Sequence, residues 1–171
     1  MNVMGFLSTR LLNGLGFVAV VLLMAAAYYM QYVMGLEPCP LCMLQRFIMI
    51  VLGLTLLSAA IHNPSHKGVR VYAVATLVIA LTGLAAASRQ VWLQYLPADQ
   101  VPACAPGWDY LIDAFPLKDV LRTMFKGSGD CAKVTWIFLH LSIAEWMLVV
   151  FTGFAGLGIM QVVCRKVTEG E

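Results

Sequence analysis

Four apolar runs, at about residues 11–34, 43–61, 71–89 and 143–163, limit what this 171-residue chain can fold into more than any other feature. A bilayer core takes about 20 helical residues to cross. In lipid every backbone N–H and C=O must be paired within the protein, so each run is expected to be a helix. The expected fold is an all-α membrane protein, a four-transmembrane-helix bundle forming one integral domain over residues 1–171. Composition agrees: 12% of residues are charged and 61% hydrophobic, where a soluble domain carries about 25% charged residues. A net charge of +2 without a basic tract gives no footing for nucleic acid. The first run could pass for a secretory signal cleaved at Ala25-Ala26-Ala27. Its hydrophobicity continues through Tyr28, Tyr29, Tyr32 and Val33, and the tyrosines suit a membrane interface, so a retained helix is expected.

The connections differ in character. Residues 35–42 form a short loop. His62 to Arg70 form a polar turn, in which His62 and His66, beside Pro64 and Gly68, read as loop residues rather than metal ligands. Residues 96–134 are hydrophilic and hold every aspartate. Within them Leu117, Val120, Leu121, Met124 and Phe125 recur at helical spacing, which predicts a short amphipathic helix lying on the membrane or on the protein itself. Glu145, just inside the fourth run, is expected to pair with Arg89 or Arg46 or to face headgroups. His140 is expected at the interface.

Four spans place both termini on one side, with Arg10, Lys67, Arg70, Arg165 and Lys166. The other side has Lys118, Arg122, Lys126 and Lys133. The positive-inside rule therefore favours cytoplasmic termini by a small margin. Cysteines add weight, because Cys39, Cys42, Cys104 and Cys131 all fall on the non-terminal side and disulfides persist outside the cytoplasm. Cys164, on the terminal side, reads as a free structural thiol.

Chemistry concentrates in Pro38-Cys39-Pro40-Leu41-Cys42-Met43-Leu44-Gln45-Arg46. A Cys-x-x-Cys pair has the spacing of a redox dithiol. Pro40 suits the first turn of a helix. A helix starting near Cys39 would set both sulfurs by unpaired N–H groups and the positive end of the dipole, which favours thiolate. Arg46 follows Cys42 by four positions and shares its helix face. It can favour a Cys42 thiolate or attract the oxygen of a polar ligand. The alternatives are a structural disulfide or half a zinc site. Zinc takes about four ligands, and no second tight cluster of cysteine and histidine is present, so no metal is expected. Cys104 and Cys131, alone, would read as a loop staple stabilising by about 3–4 kcal/mol. Two pairs on one side can also exchange through a mixed disulfide. The inner pair, at the bilayer edge, lies where lipid-soluble carriers such as quinones reside.

Cys39-Pro40-Leu41-Cys42-Met43-Leu44-Gln45-Arg46, then Cys104, then Gly127-Ser128-Gly129-Asp130-Cys131-Ala132 followed by Trp136, resemble the bacterial disulfide bond formation protein B (DsbB) family over nearly the whole chain. The resemblance implies a bacterial inner-membrane enzyme with cytoplasmic termini and periplasmic loops at 35–42 and 96–134, acting as a protein-dithiol:quinone oxidoreductase. It implies catalytic Cys39, Cys42, Cys104 and Cys131. A periplasmic DsbA-like dithiol oxidase would attack a Cys104–Cys131 disulfide at Cys104, freeing Cys131 to attack Cys39. Cys42 and Arg46 would meet the cofactor, ubiquinone or menaquinone. Other readings are a paralogue with a dedicated partner, or a membrane scaffold with structural disulfides. A vitamin K epoxide reductase relative fits less well, because its dithiol sits near the end of its bundle. Some DsbB members carry a histidine just after the third span. Residues 89–96 here have none, and Arg89 or Gln94 are the candidates to replace it.

Overall fold

The computed structural model describes residues 9–62, 64, 66–97, 99–103, 116, 118–119 and 127–168. Four helices carry it: α1 (Thr9–Tyr32), α2 (Pro40–His62), α3 (His66–Gln94) and α4 (Ile143–Thr168). All four are long and apolar enough to cross a membrane, with mean hydropathies of 2.1, 2.0, 2.0 and 1.9 over their best windows. The chain is a multi-pass membrane protein of four-helix type. Leu15, Leu22, Phe47, Leu54, Val71 and Val78 face outward, exposed, as side chains do that meet lipid tails rather than water.

α3 packs chiefly on α4, and α2 packs on both α1 and α3. Small residues set the closest approach. A Cβ on Gly83 of α3 would lie 2.2 Å from the Phe151 ring of α4, and one on Gly158 of α4 would lie 3.1 Å from the Ala73 carbonyl oxygen. Without a hydrophobic force between helices in lipid, such intimate packing supplies much of the association. α1 and α4 meet near the terminal end, where Gln161 Nε2 donates to Asn13 Oδ1 at 2.8 Å with both residues buried.

The other end carries the sulfurs. Gly35, at φ +68°, turns the chain out of α1 toward α2. The long connection from α3 returns through a 3₁₀ turn (Gly129–Ala132) and a hairpin of β1 (Ile137–Phe138) with β2 (Leu141–Ser142). The hairpin was not anticipated. Its turn residues, Leu139 and His140, have φ of 51° and 65°, a geometry usually announced by Asn-Gly. Trp136 stacks on Phe138 at 5.7 Å, Phe138 lies 6.1 Å from Trp146, and Trp146 Nε1 donates to the Phe138 carbonyl at 3.0 Å, which fastens the hairpin to α4. The expected amphipathic helix around 117–125 lies outside the described residues, apart from Lys118 and Asp119.

α4 starts where it does because of a reciprocal cap. Glu145 N–H donates to Ser142 Oγ at 3.3 Å, and Ser142 N–H donates to Glu145 Oε2 at 2.7 Å, the two halves of a capping box. The other carboxylate oxygen accepts the Tyr95 hydroxyl at 3.0 Å. Glu145 therefore caps its own helix and ties it to the exit of α3, where the sequence left an arginine pairing and the headgroups both open. The Ser142-x-x-Glu145 spacing before an apolar run was the available signal.

Candidate active site

The first turn of α2 is built around a sulfur. Pro40 opens the helix, which leaves Cys39 as its N-terminal cap. Cys42 N–H donates to Cys39 Sγ at 3.4 Å, so the sulfur takes the acceptor role that serine or aspartate usually fills. The two sulfurs lie 3.0 Å apart.

Cys131 reaches them from the far side of the long connection. Gly127, at φ +75°, allows the chain to pass against α2 and α3; a Cβ there would lie 2.6 Å from Leu93 Cδ1 and 2.9 Å from Leu41 Cδ1. The 3₁₀ turn then closes with Cys131 N–H donating to the Ser128 carbonyl at 2.9 Å, while Gly129 N–H donates to Ala103 O at 3.2 Å. Cys131 ends 0% exposed and hydrogen-bonded to Cys39. That bond, with the backbones of Ser128 and Leu41, outweighs burial and holds the Cys131 thiol down at about 6, below its ordinary 9.0. The Cys39 thiol is pushed up, first by its bond to Cys131, then by Cys42 and burial. Proton and charge are thus divided: Cys39 keeps its hydrogen and Cys131 favours thiolate.

Two glutamines complete the cluster. Gln90 of α3 directs Nε2 at Cys42 Sγ, 3.3 Å away, and at Cys39 Sγ, 3.6 Å away. Its Oε1 accepts Gln45 Nε2 at 2.7 Å. Both side chains are buried. Sequence reasoning gave neither Gln90 nor Gln45 a role. Among the candidates to replace the histidine, Arg89 stacks on Trp92, its guanidinium 4.3 Å from the ring centre. Gln94 accepts the Ser142 hydroxyl at 2.9 Å.

Arg46 turns toward α1. It donates to Gln31 Oε1 and, at 3.1 Å, to the Ala27 carbonyl, and lies 5.4 Å from the Tyr28 ring centre. Cys39, Cys42, Gln45, Arg46, Gln90 and Gln94 all line one cavity of about 130 Å³ between the helices, with apolar walls from Leu23, Met24, Met49 and Met147. The structure therefore gathers Cys39, Cys42, Cys131 and Arg46 at one end of the bundle. Cys104 lies outside the described residues, as does the side chain of Cys164.

Known proteins match over the same extent. The family model for "Disulfide bond formation protein DsbB" matches residues 9–161. Disulfide bond formation protein B of Hahella chejuensis is 52% identical over 152 residues, 89% of this chain and 92% of its own. That of Marinobacter nauticus is 50% identical over 159 residues, 93% and 95% of the two chains. Disulfide bond formation protein B 1 of Pseudomonas aeruginosa is 46% identical over 158 residues, 92% and 97%. With the four helices and the sulfurs gathered at the head of the second, this similarity over nearly the full length shows that the chain belongs to the DsbB family.

Proposed function

We propose that this chain is a protein-dithiol:quinone oxidoreductase of the bacterial inner membrane, which reoxidises a periplasmic DsbA-like dithiol oxidase and passes the electrons to ubiquinone or menaquinone. Family membership supports the coarser part of this, a disulfide-forming oxidoreductase that serves a dithiol oxidase. The observation that carries the finer part is the meeting of three sulfurs beside a cavity that also holds Arg46.

The relay is a sequence of exchanges. A thiolate of the reduced partner attacks Cys104 in a Cys104–Cys131 disulfide, and Cys131 leaves with the electron pair of the broken bond. With Cys39 still held in its own disulfide, the hydrogen bonds from the backbones of Ser128 and Leu41 are what favour the Cys131 thiolate. Its sulfur lies against Cys39, so its attack on a Cys39–Cys42 disulfide needs no long movement. The Cys131–Cys39 bond forms, the Cys39–Cys42 bond breaks, and Cys42 leaves as a thiolate at the cavity.

The cavity suits a quinone head. A pocket of about 150 Å³ with apolar walls holds a benzene ring, and this one is of similar size, with apolar walls and with Arg46, Lys133, Glu37 and Asp130 as its charged lining. Arg46 would hold a ring oxygen, and Cys42 would face the ring. A bound quinone would supply the acceptor for the electron pair that arrives on Cys42. The oxidising chemistry also supports a periplasmic sulfur end and cytoplasmic termini.

The test is turnover by the detergent-purified protein, supplied with a reduced DsbA-like oxidase and a soluble ubiquinone. Quinone reduction is expected, and its loss in both Cys104→Ala and Cys42→Ala. A folded protein with both disulfides formed that gives no turnover overturns the reading and points to a dedicated partner or a scaffold.

A further inference from the structure

Among the described residues, Gln90 is placed unlike any other polar side chain. It is 5% exposed, comes from a different helix than the thiols, and offers one nitrogen to two sulfurs. Its oxygen is occupied by Gln45, itself 3% exposed. In that bond the Gln90 carbonyl accepts from Gln45, and its NH2 points at Cys39 and Cys42. A buried amide pair in a membrane protein is expensive unless both ends are satisfied, and here the end left over meets sulfur.

We propose that Gln90 is a catalytic residue of the Cys39–Cys42 pair, holding by hydrogen bond the negative charge that arrives on Cys42 when the disulfide opens, and that Gln45 is the positioning residue that aims it. The assignment rests on the reading of Cys39 and Cys42 as the pair that hands electrons on. In the exchange the incoming Cys131 thiolate bonds to Cys39, the Cys39–Cys42 bond breaks, and its electron pair stays on Cys42. The Gln90 N–H groups already face that sulfur, so nothing has to reorient as the charge appears. An amide also carries no titrating proton. It supports the thiolate at every working pH and cannot itself protonate the sulfur.

Other groups face Cys42 and must be kept apart from this effect. Arg46 lies on its own helix, with donors directed to Gln31 and Ala27 of α1. Glu37 lines the cavity from the loop before α2. Asp130 and Lys133 line it from the long connection and pair with each other at 2.9 Å. The thiols of Cys39 and Cys131 complete the set. None of these is altered by substitution at Gln90.

The experiment reads alkylation of Cys42 against pH in the reduced, quinone-free protein, by mass spectrometry of the Cys42 peptide. Gln90→Met removes the donor at nearly constant shape. Since it also strands Gln45, the double exchange Gln45→Met with Gln90→Met removes both partners, a change that is close to neutral for folding. In both, the alkylation midpoint is expected to move to higher pH and alkylation at neutral pH to fall about tenfold, the usual scale of a hydrogen bond to a charged group. Gln90→Glu is expected to move it further in the same direction. Gln45→Met alone is expected to give a smaller shift. In the unsubstituted protein the Gln90 side-chain amide proton resonance is expected to move with the same midpoint as Cys42 alkylation. An unchanged midpoint in a folded variant, or an amide resonance indifferent to pH, overturns the proposal. The two readings separate cleanly: quinone turnover with an unmoved midpoint sinks only the Gln90 assignment, whereas a moved midpoint without turnover sinks only the quinone reductase.

Discussion

At the scale of single residues, the site depends on which sulfur holds a proton. Cys131 is fully buried and still favours charge, because its bond to Cys39 and the backbones of Ser128 and Leu41 reach it together. A folded value of about 6 against 9.0 makes this a depressed pKa. The stabilisation it brings is complete above about pH 9, declines as pH falls from 9 toward 6, and is gone below. The ultraviolet absorbance of thiolate in the reduced protein should therefore show an inflection near pH 6 that Cys131→Ser removes. An inflection only near 9 would mean that the three sulfurs do not share their hydrogen as described. Cys39, Cys42, Cys131 and Arg46 were legible in the sequence because thiols and an intramembrane cation are rare and their spacings carry meaning. Gln45 and Gln90 were not, because a glutamine near a helix end looks the same whether it faces headgroups or a sulfur on another helix.

At the scale of elements, two joints hold the sulfur end in shape. The first is the cap on α4, where Ser142 accepts Glu145 N–H and donates to Gln94 of α3. Ser142→Ala breaks the cap and that cross-helix bond together, with an expected loss of about 1 kcal/mol, read as a lower melting temperature in detergent. Ser142→Thr, which keeps the hydroxyl, should retain most of it; equal losses in the two would assign the effect to packing. The second joint is Gly83 against Phe151. Gly83→Ala forces a ring from its place and should cost about 1–3 kcal/mol, and Phe151→Leu in the same chain should recover part of the loss. If the two substitutions merely add, the close approach of α3 and α4 does not depend on this contact. Element ends were harder to read than element centres. α3 runs to Gln94, past where hydropathy falls, because Gln90 and Gln94 turn inward and find partners there. The hairpin escaped notice because leucine and histidine carry its turn.

At the scale of the whole molecule, lipid explains why so much of the architecture was visible beforehand. A solvent that cannot hydrogen-bond leaves a span two choices, a helix or a strand of a closed barrel, and a run of some 20 apolar residues fits the helix. What lipid does not dictate is how each helix is rotated, since an apolar helix looks alike on every side. Among the described residues the rotation is set by small-residue contacts and by a few buried amides, one pair at each end. Gln45–Gln90 lies at the sulfurs, and Asn13–Gln161 joins α1 to α4 near the termini. If the second pair serves only to close the ring, its loss should be felt in stability and nowhere in the chemistry. Gln161→Leu leaves Asn13 buried without its partner and should destabilise by about 1 kcal/mol, within the range seen for hydrogen bonds between membrane helices. Asn13→Leu added to it should restore most of that loss, because both orphaned groups are then gone. Throughout, the alkylation profile of Cys42 should not move. A shifted profile in these variants would show that the terminal end of the bundle is coupled to the sulfur end, and the two amide pairs would have to be treated as one system.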